Sequence, residues 1–165
     1  MAQSLDDHAD ATPALRLAFY QPDIPQNTGT ILRLCACLGV AVDVIEPAGF
    51  DMSDRALKRA GLDYLAHVDL LRHADWATYR ATRRPGRLVL MTAHGATRLD
   101  AFAFEPGDTL LLGRESAGAP PEVHAAAEAR VRIPMRQGLR SLNIAVAAAL
   151  ALGEALRQLR AYPPD

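Results

Sequence analysis

The chain is 165 residues long, half of them hydrophobic and 22% charged, a balance that suits one globular domain and excludes a disordered chain. At this length roughly 70% of the unfolded surface can be buried, so a core forms without staples. Two cysteines, Cys35 and Cys37, exclude a disulfide framework; no signal-like segment opens the chain, and Ile144–Leu152 is too short to span a bilayer. A soluble cytoplasmic protein with no membrane partner is expected.

In chain order, residues 1–13 carry Asp6, Asp7 and Asp10 and are expected to form a disordered tail, leaving 14–165 as one domain. Short apolar runs predict strands at Leu15–Tyr20, Val40–Glu46, Leu65–Leu71, Arg87–Thr92, Thr109–Gly113 and Arg130–Ile133. Between the first two, Thr28–Leu38 reads as a helix capped by Asn27 and stopped by Gly39. Further helices are expected at Ser53–Ala60, Ala74–Arg83 and Pro121–Ala129, and the longest at Leu142–Arg160. Strands alternating with helices imply a parallel sheet with helices on both faces. Ligands bind such sheets at the strand carboxyl ends, which directs attention to the segments 22–33, 113–121 and 134–143.

The formal net charge of −1 argues against a nucleic-acid partner only as an average. Of the 18 basic residues only Lys58 is not arginine, and once the three tail aspartates are set aside 16 acidic residues remain. The basic residues also cluster, at Arg55, Lys58 and Arg59, along Arg72–Arg98, and at Arg130, Arg132, Arg136 and Arg140. Arginine's planar fork suits phosphate, although a solvated surface explains such clusters equally well.

Several chemistries are absent. No G-x-G-x-x-G follows a strand, and Lys58 lacks the glycines of a P-loop. The GRES segment has Arg114 where a nucleophile elbow needs glycine, and the five histidines lack metal-ligand spacing. Cys35 and Cys37 fall on opposed helix faces and read as small core residues. Three segments remain. PDIPQNTGTILR spans 22–33, with Asn27 as a cap and Arg33 expected to reach the same mouth. LLGRESAG spans 111–118, a strand end with a glycine-bounded turn and one carboxylate, Glu115. IPMRQGLRSLN spans 133–143 and leads into the last helix through Ser141 and Asn143.

Taken in order, N-x-G-x-x-x-R at Asn27–Arg33, G-x-E-S-x-G at Gly113–Gly118 and S-L-N at Ser141–Asn143 resemble the three motifs of the SPOUT superfamily of RNA 2′-O-ribose methyltransferases. The wobble-nucleotide tRNA branch, of TrmL type, is the closest in pattern, on YQPDIPQNTGTILRLCACLG, VIEPAGF, RALKRAGLDY and RIPM. The resemblance runs over residues 15–160; Arg114 stands where the branch often has proline.

The resemblance implies a C-terminal deep trefoil knot, which pattern reading alone does not suggest. It implies S-adenosyl-L-methionine as methyl donor, leaving as S-adenosyl-L-homocysteine, in a pocket of Met91, Thr92, Gly113, Glu115, Ile133, Ser141 and Leu142, with no metal. The implied catalytic set is Arg33, Asn27, Ser141 and Asn143. The implied substrate is the ribose 2′-hydroxyl of the wobble nucleotide, cytidine or modified uridine, in a tRNA anticodon stem-loop. Arg55, Lys58, Arg59, Arg114 and Arg140 are the expected RNA contacts, with Arg132 and Arg136 as weaker ones. A homodimer with each site completed by both subunits is implied. Alternatives are methylation of another tRNA position or of ribosomal RNA, and a non-catalytic RNA-binding module of the same fold.

Overall fold

The computed structural model describes residues 14–59 and 64–165, so the expected tail at 1–13 and residue 60 of the second expected helix lie outside the described residues. Among the described residues seven strands run in chain order: β1 (Leu15–Tyr20), β2 (Ala41–Ile45), β3 (Leu70–His73), β4 (Leu88–Met91), β5 (Thr97–Arg98), β6 (Asp108–Leu112) and β7 (Ala129–Arg132). They form one sheet in the order β3-β2-β1-β6-β4-β7-β5, every pairing parallel. The helices are α1 (Pro25–Leu38), α2 (Asp54–Arg59), α3 (Trp76–Thr82), α4 (Pro121–Ala126) and α5 (Ile144–Leu159).

The period-two alternation of strand side chains explains the layering. Leu15, Leu17 and Phe19 of β1 join Val42, Val44, Leu110 and Leu112 on one face, where α1 supplies Ile31 and Leu32 and α5 supplies Ala148, Leu152 and Ala155. Ala18 and Tyr20 turn to the other face with Leu88, Leu90 and Leu111, beneath Tyr79 of α3 and Val123 of α4. Alanines on α5 let that helix lie close to α1; each fully buried leucine adds about 1.5–3 kcal/mol. In the β3-β2-β1 half, buried Asp43 is held by Arg16 Nε at 2.9 Å and His73 Nε2 at 2.9 Å. That pairing compensates an otherwise costly buried carboxylate.

The α/β architecture agrees with the sequence reading, and four details differ. Helix α1 begins at Pro25, capped at Ile24 without a side-chain bond, because proline's fixed φ and missing N–H suit the first turn; Asn27 is therefore inside the helix and not its cap. Gly39 does stop it, in the left-handed conformation. The expected strand Leu65–Leu71 divides into a 3-10 turn at Leu65–His67 and β3, since only residues from Leu70 onward pair with β2. Strand β5, two residues long, was not expected; it adds to β7 at the sheet edge. Helix α4 ends at Ala126, so that Ala129 can begin β7. Burial of Cys35 agrees with a core role and pushes its thiol up to about 12, whereas Cys37 is exposed and not in the core.

Candidate active site

The segments that leave the carboxyl ends of β4, β6 and β7 surround a cavity of about 590 Å³, within the range of small-ligand sites. Strand β4 and its exit supply Met91, Thr92 and His94; β6 and its turn supply Gly113, Arg114 and Glu115; β7 and the segment before α5 supply Ile133, Ser141, Leu142 and Asn143. All seven residues expected to hold a cofactor thus line one space. It combines apolar walls with a few polar groups.

Local sequence explains the shape. Residues 114–118 close on themselves: Arg114 N–H donates to Gly118 O at 3.1 Å, and Gly118 N–H returns to Arg114 O at 2.9 Å. Gly118 takes φ +68°, which favours glycine. At Gly113 a Cβ would stand 2.6 Å from Ala119 N and 2.7 Å from Gly118 C, so the turn folds back on β6 only because no side chain is there.

Asn143 is the true cap of α5. Its Oδ1 accepts from Ala145 N–H at 2.9 Å and Val146 N–H at 3.4 Å, while its Nδ2 donates to Asn27 Oδ1 at 3.0 Å. The first and third motifs are thereby joined across 116 residues of chain. Among the expected catalytic residues, Asn27, Ser141 and Asn143 come together at the cavity.

Arg33 does not join them. Six residues beyond Asn27 on a helix of 3.6 residues per turn is about 240° around the axis, so the two side chains face different ways. Arg33 is exposed, with its guanidinium 4.7 Å over the Tyr64 ring and Nη2 3.4 Å from Tyr64 Oη. The expectation that it reaches the same mouth within one chain is corrected accordingly.

A pair of carboxyl groups from two loops meets beside the cavity. Asp23 N–H donates to Glu115 Oε2 at 3.0 Å, and Glu115 N–H donates to Asp23 Oδ1 at 3.2 Å. The Ser116 hydroxyl donates to Asp23 Oδ2, and Arg114 Nε lies 3.7 Å from that oxygen. The hydrogen bond with the Glu115 side chain, aided by Ser116, holds Asp23 down at about 2. Burial, and then the bond to Asp23, push Glu115 upward. Its second oxygen, Oε1, is buried with no hydrogen-bond partner. Sequence reading passed over Asp23; its only signal is an acid just past a strand end.

The arginines divide sharply. In the 72–98 stretch, Arg72 binds Glu46, Arg83 the carbonyl of Gly86, Arg87 Asp108 and Glu105, and Arg98 Asp100, while Arg80 lies over the Trp76 ring and Arg84 is exposed without an acidic partner among the described residues. Arg130 and Arg132 are likewise tied to backbone carbonyls, Arg132 to those of Gly95 and Ala96. Arg55, Arg136 and Arg140 are exposed without an acidic partner among the described residues; the side chains of Lys58 and Arg59 lie outside the described set. Arg114, half-buried, reaches Gln21 Oε1 at 3.4 Å and lines the cavity. Among the described residues, no three His, Cys, Asp or Glu side chains gather as a metal site.

Comparison with known proteins gives concordant results. The SpoU rRNA Methylase family is matched over residues 14–153. A tRNA (cytidine(34)-2′-O)-methyltransferase from Beijerinckia indica is 58% identical over 147 residues, 88% of this chain and 92% of that one. A solved structure from work on the 2-OH methylation of C/U34 on tRNA superposes with TM-score 0.82 at 45% identity, over 91% of this chain and 99% of that one. The SpoU methyltransferase AviRb from Streptomyces viridochromogenes, solved with AdoMet, has TM-score 0.77 at 29% identity, over 92% of this chain and 62% of that one.

Proposed function

The chain belongs to the SpoU rRNA methylase family, and on that premise we propose that it is an S-adenosylmethionine-dependent methyltransferase acting on the ribose 2′-hydroxyl of nucleotide 34 in tRNA. The observation that carries this reading is the meeting of the three motif segments in one cavity at the strand carboxyl ends, with Asn27 bonded to Asn143. The residues suit the donor. Met91, Ile133 and Leu142 offer apolar walls, Gly113 lets the 114–118 turn fold back on β6 to shape the cavity, and Glu115 Oε1 is a buried acceptor in want of a donor.

When bound, S-adenosylmethionine supplies an electrophilic methyl group on a sulfonium. The chain's part is to place a ribose oxygen in line with that methyl and to help its proton leave. Arg33 is assigned to the developing alkoxide and a neighbouring phosphate; a guanidinium is permanently charged and cannot take the proton itself. Asn27, Ser141 and Asn143 hold the segments that shape the mouth.

Because Arg33 faces away from its own cavity, the proposed active unit is a homodimer in which each cavity receives Arg33 from the second copy. An exposed apolar face supports this: Leu142, Val146 and Leu150 are 39%, 49% and 48% exposed at the start and along one side of α5. The anticodon stem-loop would meet Arg55, Arg140 and Arg114, with Lys58 and Arg59 assigned from sequence alone. Residues 14–165 are read as one domain.

Cytoplasmic location is proposed from the tRNA substrate; among the described residues no helix is long and apolar enough to cross a membrane. A deep trefoil knot in the C-terminal part of the sheet is proposed from family membership. Mechanical extension from both termini tests it: an extended length short of about 3.3–3.6 Å per residue is expected, and the full length contradicts a knot.

The functional test is methyl transfer from labelled S-adenosylmethionine to unmodified tRNA, with the modified nucleotide mapped. Label in the ribose of nucleotide 34 is expected. Label at another tRNA position, or in ribosomal RNA only, overturns the assignment. Absence of both transfer and donor binding would make the chain a non-catalytic RNA-binding module.

A further inference from the structure

We propose that Asp23 is a positioning residue, setting the Glu115 carboxyl and the 113–118 turn in the geometry that receives the methyl donor. This rests on the reading of the cavity as the donor site.

Asp23 lies in the segment between β1 and α1, while Glu115 follows β6, so a tie between them fixes two segments that enter the site separately. The tie is reciprocal. Each residue's backbone N–H donates to the other's carboxylate, at 3.0 and 3.2 Å, and Ser116 adds its hydroxyl to the second Asp23 oxygen. Asp23 is itself held from behind. Gly49 N–H donates to Pro22 O at 2.8 Å, and a Cβ on Gly49 would stand only 2.9 Å from Asp23 Cβ.

The consequence falls on Glu115. One of its oxygens is used by Asp23, and the other is buried, unpartnered and part of a cavity-lining residue. A carboxyl left free would rotate to satisfy both oxygens elsewhere; this one is kept with a single oxygen for a ligand donor. The opposed directions of the two acids, Asp23 down and Glu115 up, fit one proton held by the pair.

Calorimetric binding of S-adenosylhomocysteine to the full chain tests the proposal, using Asp23→Ala, Asp23→Asn, Glu115→Gln and the Asp23→Ala/Glu115→Gln double variant. Asp23→Ala is expected to weaken binding about tenfold or more. Asp23→Asn keeps an oxygen for the Glu115 N–H and is expected to fold and bind more tightly than Asp23→Ala, with an altered pH dependence. Arg114, His94 and His124 also face this space, so the profile is read as the difference between wild type and Asp23→Asn. The double variant should bind no more weakly than the weaker single variant. If Asp23→Ala does not fold, Asp23→Asn decides. Wild-type affinity and pH profile in the Asp23 variants, or independent losses that multiply in the double variant, overturn the proposal alone. Failure of the wild type to bind overturns the donor-site reading and the proposal with it.

Discussion

The two halves of the sheet differ in where they place their buried polar groups. In the β3-β2-β1 half, the buried Asp43 carboxylate is closed off by Arg16 and His73, and its neighbours are packed core. In the β6-β4-β7 half, the strand ends open into a cavity where Glu115 keeps a buried oxygen unpartnered. Both halves pair buried carboxylates with arginine, Asp108 with Arg87 in the second, and both leave orphaned atoms, Arg16 Nη2 in the first; the second differs in placing its orphans, Glu115 Oε1 and Arg114 Nε, on residues that line the cavity. Buried polar atoms are normally satisfied, so an orphan beside a cavity marks the half that binds.

The largest expected effect breaks the closed half. Asp43→Ala leaves Arg16 and His73 buried without their shared carboxylate, and should cost about 3–5 kcal/mol in denaturant unfolding. S-Adenosylhomocysteine affinity of the folded fraction should remain near wild type, since Asp43 does not line the cavity. A stable Asp43→Ala would remove the contrast between the halves.

Arg33→Ala tests the open half. A loss of about 10²–10³ in kcat is expected if the guanidinium stabilises developing charge, with donor binding preserved. Mixing Arg33→Ala with Asn143→Ala sharpens this, because in the proposed homodimer one of the two cavities then has Asn143 intact and would receive an intact Arg33 from the other subunit. Partial recovery of activity is the expected result, and none is expected from either variant alone.

Asn143→Ala should reduce stability by about 1 kcal/mol through loss of the α5 cap, measured by thermal unfolding. It also releases Asn27, so kcat should fall by more than that modest destabilisation explains.

Acid titration follows the Asp23 and Glu115 pair with opposite signs. Asp23, held at about 2, contributes stability above its ordinary carboxylate range that is lost as pH falls through about 2. Glu115, raised, contributes below its ordinary value, and that contribution is lost as pH rises through its folded value. Glu115→Ala should therefore remove the second loss and, because the Glu115 side chain is the largest cause of the Asp23 shift, shrink the first. Urea unfolding across the acid range reads both.

The smallest expected effect separates the arginines. Arg140→Ala should weaken tRNA binding and reduce the slope of log affinity against log salt by about one, as for a single phosphate contact. Arg98→Ala, whose guanidinium already binds Asp100, should leave that slope unchanged.

Much of this organisation was legible from sequence. Strand runs such as Leu15–Tyr20, apolar apart from Arg16, announce a covered parallel sheet, and the three motif segments follow from their places after strands. The cap assignments were less legible. Asn27 satisfies the local cap rule, yet Pro25 starts the helix earlier and frees Asn27 for Asn143, a contact 116 residues away. Arg33 was misplaced because the reading placed it only by distance along the helix, without its angle around the axis. The 72–98 arginines resembled an RNA surface in composition, but Arg72 and Arg87 are taken up by Glu46 and Asp108, which come from other strands and loops. Strand β5 has two residues and carries no periodicity to read.

The central claim is that the open half of the sheet directs a methyl group to one ribose hydroxyl. A tRNA assembled with 2′-deoxyribose at nucleotide 34 alone, incubated with the enzyme and labelled S-adenosylmethionine, tests it most directly. The account predicts that this tRNA takes up no label while its ribose counterpart does. Equal labelling of the two would contradict it.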